Sequence, residues 1–206
     1  MQLDQSGFVG AHVLCALMSG IDARVAAWFR DHMSPALADF YWALSEPGSA
    51  GCVTAAVVVV AFWLACRKHW IGLGWLLVTV PIGAGLGELV KVIVQRQRPF
   101  IGGPFGEWGG YGFPSGHTIA ATLLYGSLFV LLLPAMRAWW HKAGLGIFTA
   151  GLIACVAFSR VALGAHYLTD VLAAVLLGSG WLVLTWLFAE RVKNARMPVL
   201  SEAEPG

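Results

Sequence analysis

Residues 49–66 read SAGCVTAAVVVVAFWLAC, an apolar run without a charged side chain. A helix needs about 20 residues of this kind to cross the hydrocarbon core of a bilayer, with about 17 as the lower limit. Similar stretches follow at about 71–94, 117–134, 143–163 and 168–189. A strand facing lipid would require a closed barrel and alternating apolar residues, a pattern that is absent here. The sequence therefore predicts five transmembrane helices.

The composition supports the same class of protein. Of the 206 residues, 58% are hydrophobic and 12% are charged, and the mean hydropathy is +0.73. A soluble domain carries about 25% charged residues, and disordered chains are poor in apolar residues, so both classes are excluded. The net charge of +2 and the lack of a basic stripe argue against a nucleic-acid partner. We expect an all-α helical bundle integral to the membrane, and no obligate protein partner is evident.

Residues 1–48 follow a different pattern. Residues 7–21 are apolar but short for a full crossing, and they form a sixth candidate span. Apolar side chains then recur at helical spacing among charged ones, and Ser34, which precedes a proline, is a typical helix start. This predicts one or two amphipathic helices in the membrane interface, or alternatively a soluble-type helix pair packed on the bundle. The transmembrane bundle is assigned to residues 49–189 and a cytoplasmic polar tail to residues 190–206.

The positions of the basic residues predict the orientation. Seven of the 13 lysines and arginines follow the first, third and fifth spans, which share one side if the crossings alternate: Arg67, Lys68, Arg137, Lys142, Arg191, Lys193 and Arg196. The positive-inside rule makes that side cytoplasmic. We therefore expect a multi-pass protein of the inner (cytoplasmic) membrane. Four cations at the opposite, periplasmic ends of the spans break the rule and need another explanation: Lys91, Arg96, Arg98 and Arg160.

Three short motifs lie at these outer ends. They are K-x6-R-P at residues 91–99, P-S-G-H at 114–117 and S-R-x5-H-x3-D at 159–170. Together they bring cations, two histidines, a carboxylate and a helix N-terminus to one membrane face.

These residue types suit the binding of a phosphate group. Arg98 and Arg160 are suited to fork onto phosphate oxygens, and Lys91 adds a compact positive charge. Ser115 is a natural N-cap, Gly116 lets backbone amides approach an anion, and the helix that begins here has its positive dipole end at the site. Each feature alone also fits a structural role, such as a snorkelling lysine or an ordinary helix start. Their occurrence together on a face that breaks the positive-inside rule favours the phosphate site.

The third motif adds groups that can do chemistry. His166 and Asp170 are spaced i,i+4 and would share one face of a helix. A carboxylate bonded to one imidazole nitrogen fixes the tautomer and frees the other nitrogen to attack phosphorus. His117 then remains as the general acid that protonates the leaving oxygen. The same i,i+4 pair could instead ligate a metal ion, which stays an alternative from the spacing alone.

In this order, the three motifs resemble the three-part signature of the type-2 phosphatidic acid phosphatase superfamily, the membrane lipid phosphatases related to the vanadium haloperoxidases. The resemblance extends over about residues 22–189. It implies a phosphohistidine at His166, oriented by Asp170, with His117 as general acid and no metal or other cofactor. It also implies that the phosphate is held by Lys91, Arg98, Ser115, Gly116 and Arg160. The usual six-span layout of the family needs a first crossing, for which residues 7–21 are short.

The segment between the first two motifs is rich in glycine and aromatic residues. Residues 100–113 read FIGGPFGEWGGYGF. Glycine permits a mobile or tightly folded loop, and Trp and Tyr favour the headgroup level of a bilayer. We expect Trp108 and Tyr111 to border the route by which a lipid headgroup arrives from the outer leaflet, with a purely structural interfacial loop as the alternative.

Three further charged residues are candidates for supporting or headgroup contacts. Glu88 lies one turn before Lys91 within an apolar span, where a carboxylate is costly and usually paired. It is expected to pair with that lysine or the phosphate-binding arginines, or to serve helix packing. Arg96 and Glu107 could contact a second phosphate or a sugar.

The predicted function is therefore hydrolysis of a lipid phosphomonoester or diphosphate at the outer face of the membrane. A compact chain without a large extra domain looks most like the family members that act on undecaprenyl diphosphate or, with broad specificity, on phospholipid phosphates. A lipid A 1-phosphatase or a lipid phosphotransferase would use the same intermediate and is the alternative. A non-enzymatic anion transporter is more remote, because transporter charges normally lie near the midplane of the membrane.

Overall fold

The regular structure of the described chain is helical throughout. The computed structural model describes the backbone of residues 5–100, 106 and 108–201, and the side chains among residues 18–194 of that set. Its helices are α1 (Gln5–His32), α2 (Pro35–Ser45), α3 (Ala50–Cys66), α4 (Trp70–Val94), α5 (Gly116–Leu132), α6 (Trp139–Ala162) and α7 (Leu168–Ser201). Short 3-10 helices at Glu46–Gly48 and Leu133–Ala135 follow α2 and α5. The predicted all-α class is confirmed.

Five helical stretches of the described residues are long and apolar enough to cross a membrane. They are Pro35–Cys66, Trp70–Val94, Gly116–Ala135, Trp139–Ala162 and Leu168–Asn194. Each contains one of the five predicted spans, so the chain is a multi-pass membrane protein. The first stretch is longer than predicted because α2 is joined to α3 through a single 3-10 turn. The segment predicted as a polar tail continues α7 as far as Ser201.

The N-terminal helices differ in part from expectation. The sequence separates residues 7–21 from the amphipathic segment that follows, whereas α1 runs through both without a break. Gly20 is present near the junction but proline is not, so no backbone hydrogen bond of the helix is lost there. The start of α2 is as predicted, since the Ser34 hydroxyl accepts a hydrogen bond from the Leu37 N–H at 3.3 Å. The interfacial position of these helices stays a prediction.

Helix α5 lies at the centre of the bundle, in contact with α3, α4, α6 and α7. Its buried side chains Ile119, Leu123 and Leu124 join apolar residues of α3, α4 and α7 in one core. Glycines bring α4 close to this core, because a Cβ at Gly83 would lie 2.6 Å from the Trp181 ring and one at Gly87 would lie 2.7 Å from Ile119. This packing sets the ends of α4, α5, α6 and α7 side by side, which positions the site.

Candidate functional site

The three motifs meet at one end of the bundle, around a cavity of about 830 Å³. Most of the predicted catalytic and phosphate-binding residues line it: Lys91, Arg98, Gly116, His117, Arg160 and His166. The two others, Ser115 and Asp170, are fully buried behind this wall. The loop after α4, the start of α5 and the turn between α6 and α7 thus converge as the sequence predicts.

His166 lies in the turn that precedes α7, and its two ring nitrogens have different partners. Nδ1 is 2.6 Å from the Gly112 carbonyl oxygen, and Nε2 is 3.2 Å from Nη1 of Arg98. A carbonyl only accepts and a guanidinium only donates, so the proton belongs on Nδ1 and the lone pair on Nε2. Burial lowers the pKa of His166 below its ordinary value, against the opposing effect of the Asp170 carboxylate. The imidazole is therefore neutral near pH 7, and its Nε2 lone pair accepts from Arg98 at the cavity wall.

Asp170 does not make the direct hydrogen bond to His166 that the spacing predicts. Its Oδ2 is 3.8 Å from Nδ1 of His166, which is too long for a hydrogen bond. The reason is that α7 begins only at Leu168, so the two residues do not share a helix face. Oδ2 instead accepts from the Tyr167 backbone N–H at 2.8 Å. Asp170 thus acts on His166 through its charge, while the Gly112 carbonyl fixes the tautomer.

Arg98 and Lys91 are held at the cavity by neighbouring polar groups. Arg98 donates to the Ala165 carbonyl at 2.9 Å and to the Gly110 carbonyl at 3.3 Å, which orients its guanidinium beside His166. Lys91 Nζ lies 2.5 Å from Oε1 of Glu88, three residues earlier on α4. The structure thus pairs Glu88 with Lys91, one of the two partners expected for it.

Arg160 is the most enclosed of the cavity cations, with 3% of its surface exposed. Its Nη1 donates to the Ser45 hydroxyl at 2.9 Å, and its guanidinium lies 4.7 Å from the Trp108 ring and 5.6 Å from the Trp42 ring. Its buried Nε has no hydrogen-bond partner within the described residues. A buried N–H without an acceptor is costly, and an anion in the cavity would supply one.

The start of α5 differs in one detail from the predicted cap. Ser115 occupies the N-cap position, but its side chain makes no capping hydrogen bond. Its hydroxyl oxygen accepts from the Thr118 hydroxyl at 3.0 Å, which leaves the Ser115 proton for another acceptor. Gly116 lies close to the Lys91–Glu88 pair, since a Cβ at this position would be 3.5 Å from Lys91 Nζ and 3.4 Å from Oε1 of Glu88. His117 is the next residue, half-buried on the cavity wall.

The residues predicted to contact the lipid headgroup do not all lie at the cavity. Arg96 was expected to contact a second phosphate or a sugar, but its guanidinium is bound to carboxylates behind the cavity, Asp22 at 2.7 Å and Asp170 at 2.6 Å. Of the two loop aromatics, Trp108 lines the cavity, whereas Tyr111 is exposed and is not among the lining residues. Glu107 lies outside the described residues.

The N-terminal helices supply residues that sequence reasoning missed. Asp22 on α1 reaches Arg96, while Trp42 and Ser45, which belong to α2, contact Arg160. Of these residues, Asp22 could have been found from the sequence, because a lone carboxylate on the apolar side of a helix requires a buried partner. The Gly112 carbonyl could not have been found, since residue type does not indicate which backbone oxygen accepts a side-chain hydrogen bond.

Known proteins resemble this chain in sequence. Residues 72–194 match the PAP2 superfamily. The chain is 30% identical over 168 residues to phosphatidylglycerophosphatase B of Bacillus subtilis (strain 168), covering 79% of this chain and 80% of that protein. It is 31% identical over 133 residues to lipid A 1-phosphatase of Rhizobium johnstonii, covering 59% of this chain and 49% of that protein.

Two solved structures share the fold. The crystal structure of a transmembrane PAP2 type phosphatidylglycerolphosphate phosphatase from Bacillus subtilis superposes with a TM-score of 0.76 at 26% sequence identity, covering 91% of this chain and 96% of that one. The crystal structure of Aquifex aeolicus LpxE superposes with a TM-score of 0.61 at 18% identity, covering 80% of this chain and 94% of that one, and it shows the fold alone.

Proposed function

The chain belongs to the PAP2 superfamily, in which members such as phosphatidylglycerophosphatase B are lipid phosphatases, and on that premise we propose that it dephosphorylates phospholipid phosphates at the periplasmic face of the inner membrane. Phosphatidylglycerophosphate is the first substrate to test, because the name of the Bacillus subtilis relative specifies it. Undecaprenyl diphosphate is a second substrate for the same site. The partial match to lipid A 1-phosphatase makes the 1-phosphate of lipid A the competing candidate.

The observation that carries this proposal is the shape of the cavity. One end holds the histidines and the three cations, and the cavity continues into an apolar groove between α3 and α4. The groove is lined by Val53, Val57, Val58, Val80, Pro81 and Ala84. A molecule with a phosphate at one end and a hydrocarbon chain at the other fits both parts, since apolar walls bind chains and a few polar groups fix orientation. A small soluble phosphoester would leave the groove unused.

The chemistry proposed for this site proceeds in two displacements. The Nε2 lone pair of His166 attacks phosphorus, a P–N bond forms, and the bond from phosphorus to the leaving oxygen breaks as His117 gives that oxygen a proton. His117, now neutral, takes a proton from water, whose oxygen attacks phosphorus and breaks the P–N bond. Arg98 and Arg160 stabilise the negative charge of the phosphoryl oxygens in both transition states.

A direct test measures phosphate release from the purified chain with phosphatidylglycerophosphate, undecaprenyl diphosphate and lipid A side by side. We expect His166→Ala to abolish turnover, since the nucleophile is lost, and a labelled phosphohistidine to be trapped in the wild type by acid quench. His141→Ala, an exposed histidine at the start of α6, is the matched control. Full activity in His166→Ala contradicts the mechanism. The resemblance implies metal-independent chemistry, so turnover should continue in EDTA.

The periplasmic orientation needs its own experiment. Gly109 is exposed at the cavity and has open space for a side chain. In a chain whose native cysteines are replaced by alanine, Gly109→Cys should react in intact cells with a thiol reagent that cannot cross the inner membrane. Labelling only after lysis would place the site on the cytoplasmic side.

A further inference from the structure

Asp22 is a buried carboxylate on α1, outside the three motifs, with 1% of its surface exposed. Its Oδ1 accepts the backbone N–H of Thr169 at 3.1 Å. Its Oδ2 accepts the Thr169 hydroxyl at 2.5 Å and Nη2 of Arg96 at 2.7 Å. A carboxylate is buried at this depth only when its charge is paired and its oxygens are bonded. Both conditions are met by residues of the catalytic end, so this side chain ties α1 to the site.

Arg96 connects Asp22 to the proposed nucleophile. While Nη2 binds Asp22, Nη1 donates to Oδ1 of Asp170 at 2.6 Å. The other oxygen of Asp170 is the one that lies 3.8 Å from Nδ1 of His166. The guanidinium also packs 4.5 Å from the centre of the Tyr167 ring, which fixes its plane. The order of groups is therefore carboxylate, guanidinium, carboxylate, imidazole.

The charges of these groups set the electrostatic environment of the His166 imidazole. Two carboxylates and one guanidinium sum to a net charge of −1 behind the imidazole. Without Asp22, the Arg96–Asp170 pair would be neutral. Arg96 would then no longer divide its hydrogen bonds between two carboxylates. The cavity side opposes this negative charge, because Arg98 and Arg160 face His166 there and His117 is the remaining titratable neighbour.

We propose that Asp22 is a positioning residue for the reaction, which holds Arg96 and thereby keeps Asp170 in place, with a net negative charge, behind His166. The inference rests on the proposed role of His166 as nucleophile. Asp22 touches neither the cavity nor the substrate, so it acts through two intermediates. Asp22 affects the rate of the step in which positive charge develops on the imidazole, as Nε2 bonds to phosphorus.

The test uses the full chain in detergent with dioctanoyl phosphatidic acid as the probe, and measures kcat and KM across the acid range of pH. Asp22→Asn keeps the shape and removes the charge. We expect kcat to fall about 10- to 100-fold with KM within about twofold, because positioning rather than binding is lost. Asp22→Glu, which keeps the charge, should recover most of this loss. Asp31→Asn, an exposed position on the same helix, is the matched control and should leave both constants unchanged.

The pH profile separates positioning from a purely structural role of α1. Removing the negative charge in Asp22→Asn should move the acid limb of kcat/KM to lower pH, because the protonated form of His166 loses stabilisation. Removing the positive charge in Arg96→Gln should move the same limb to higher pH. Loss of helix docking alone would lower activity in both variants without opposite shifts.

The outcomes are distinct. Opposite shifts with a kcat loss support the proposal, and unshifted limbs or an unchanged kcat in Asp22→Asn overturn it. If Asp22→Asn does not yield folded protein, Arg96→Gln decides alone, and an unshifted limb in that variant overturns the proposal. His166→Ala in the same assay tests the proposed role of His166 as nucleophile. If this variant stays active, the proposed function fails. If it is inactive while both other variants behave as wild type, only this inference fails.

Discussion

Trp108→Leu tests how Arg160, a proposed phosphate-binding residue, is held. The Trp108 ring lies 4.7 Å from the guanidinium and stacks on Trp42, at 5.1 Å between ring centres and an interplanar angle of 27°. The two indoles thus form one aromatic wall against a buried cation. Leucine keeps an apolar side chain at the position but removes the nearer ring.

The magnitude follows from this geometry. A cation–π contact contributes about 0.5–1 kcal/mol at an exposed site and about 2 kcal/mol when desolvated. Arg160 is buried but keeps the Trp42 ring and the Ser45 hydroxyl, so we expect a loss of about 1–2 kcal/mol in substrate binding. At about 1.4 kcal/mol per factor of ten, KM should rise about 5- to 30-fold. The kcat should fall by no more than KM rises, because Arg160 would hold the phosphoryl oxygens in the bound substrate as well as in the transition state.

The assay is phosphate release from phosphatidylglycerophosphate over a range of concentrations that brackets both KM values. Tyr111→Leu is the control, since this aromatic lies on the same loop but not on the cavity wall. Trp108→Phe should fall between wild type and Trp108→Leu, as phenylalanine offers a weaker ring. A KM within twofold of wild type in Trp108→Leu, or an equal rise in Tyr111→Leu, would refute the reasoning.

Four further outcomes follow from the packing and from the histidine. Gly83→Ala should lower stability by about 1–3 kcal/mol, because the new methyl would meet an indole at 2.6 Å and a leucine at 2.7 Å, whereas Gly85→Ala has open space and should not; thermal unfolding in detergent compares them. Thr185→Val should cost about 1–3 kcal/mol in the same measurement and leave kcat unchanged, because it removes the acceptor of a buried indole N–H far from the site. Since burial lowers the pKa of His166, the acid limb of kcat/KM should lie below pH 6.5, and a limb at or above that value would contradict the assignment. Asp170→Asn removes a charge that raises this pKa, so the limb should move lower still, alongside a loss of rate.

The fold was largely predictable because membrane crossing leaves a strong pattern in the sequence. Uncharged runs of sufficient length locate five spans without knowledge of their partners, and the structure contains a helix at each. The boundary inside α1 was not predictable in the same way. It was placed where the composition changes near residue 21, whereas a helix ends where its hydrogen bonds end, and nothing there interrupts them.

The site was predictable at the level of residue type but not of hydrogen bonding. Charges at span ends that violate the positive-inside rule identified the cations, and their convergence followed from alternating crossings. The partner of His166 could not be read from the i,i+4 spacing, because that spacing has meaning only inside a helix. α7 begins two residues after His166, and Asp170 instead accepts from Arg96 and from the N–H of Tyr167, the residue just before α7.

The four cations that are predicted to lie on the outer face divide into two pairs once their partners are known. Arg96 binds Asp22 and Asp170 behind the cavity, whereas Lys91 lines the cavity and is paired there with Glu88. Arg98 and Arg160 bind only carbonyl, hydroxyl and ring groups among the described residues, apart from the contact of Arg98 with His166. Their combined charge of +2 matches a phosphate dianion, while the carboxylates of the first pair leave −1 behind the imidazole. In the proposed reaction, the substrate and the imidazolium-like nitrogen of the transition state thus each face the opposite charge. In the proposed orientation, the two arginines remain on the outer face because the substrate neutralises them.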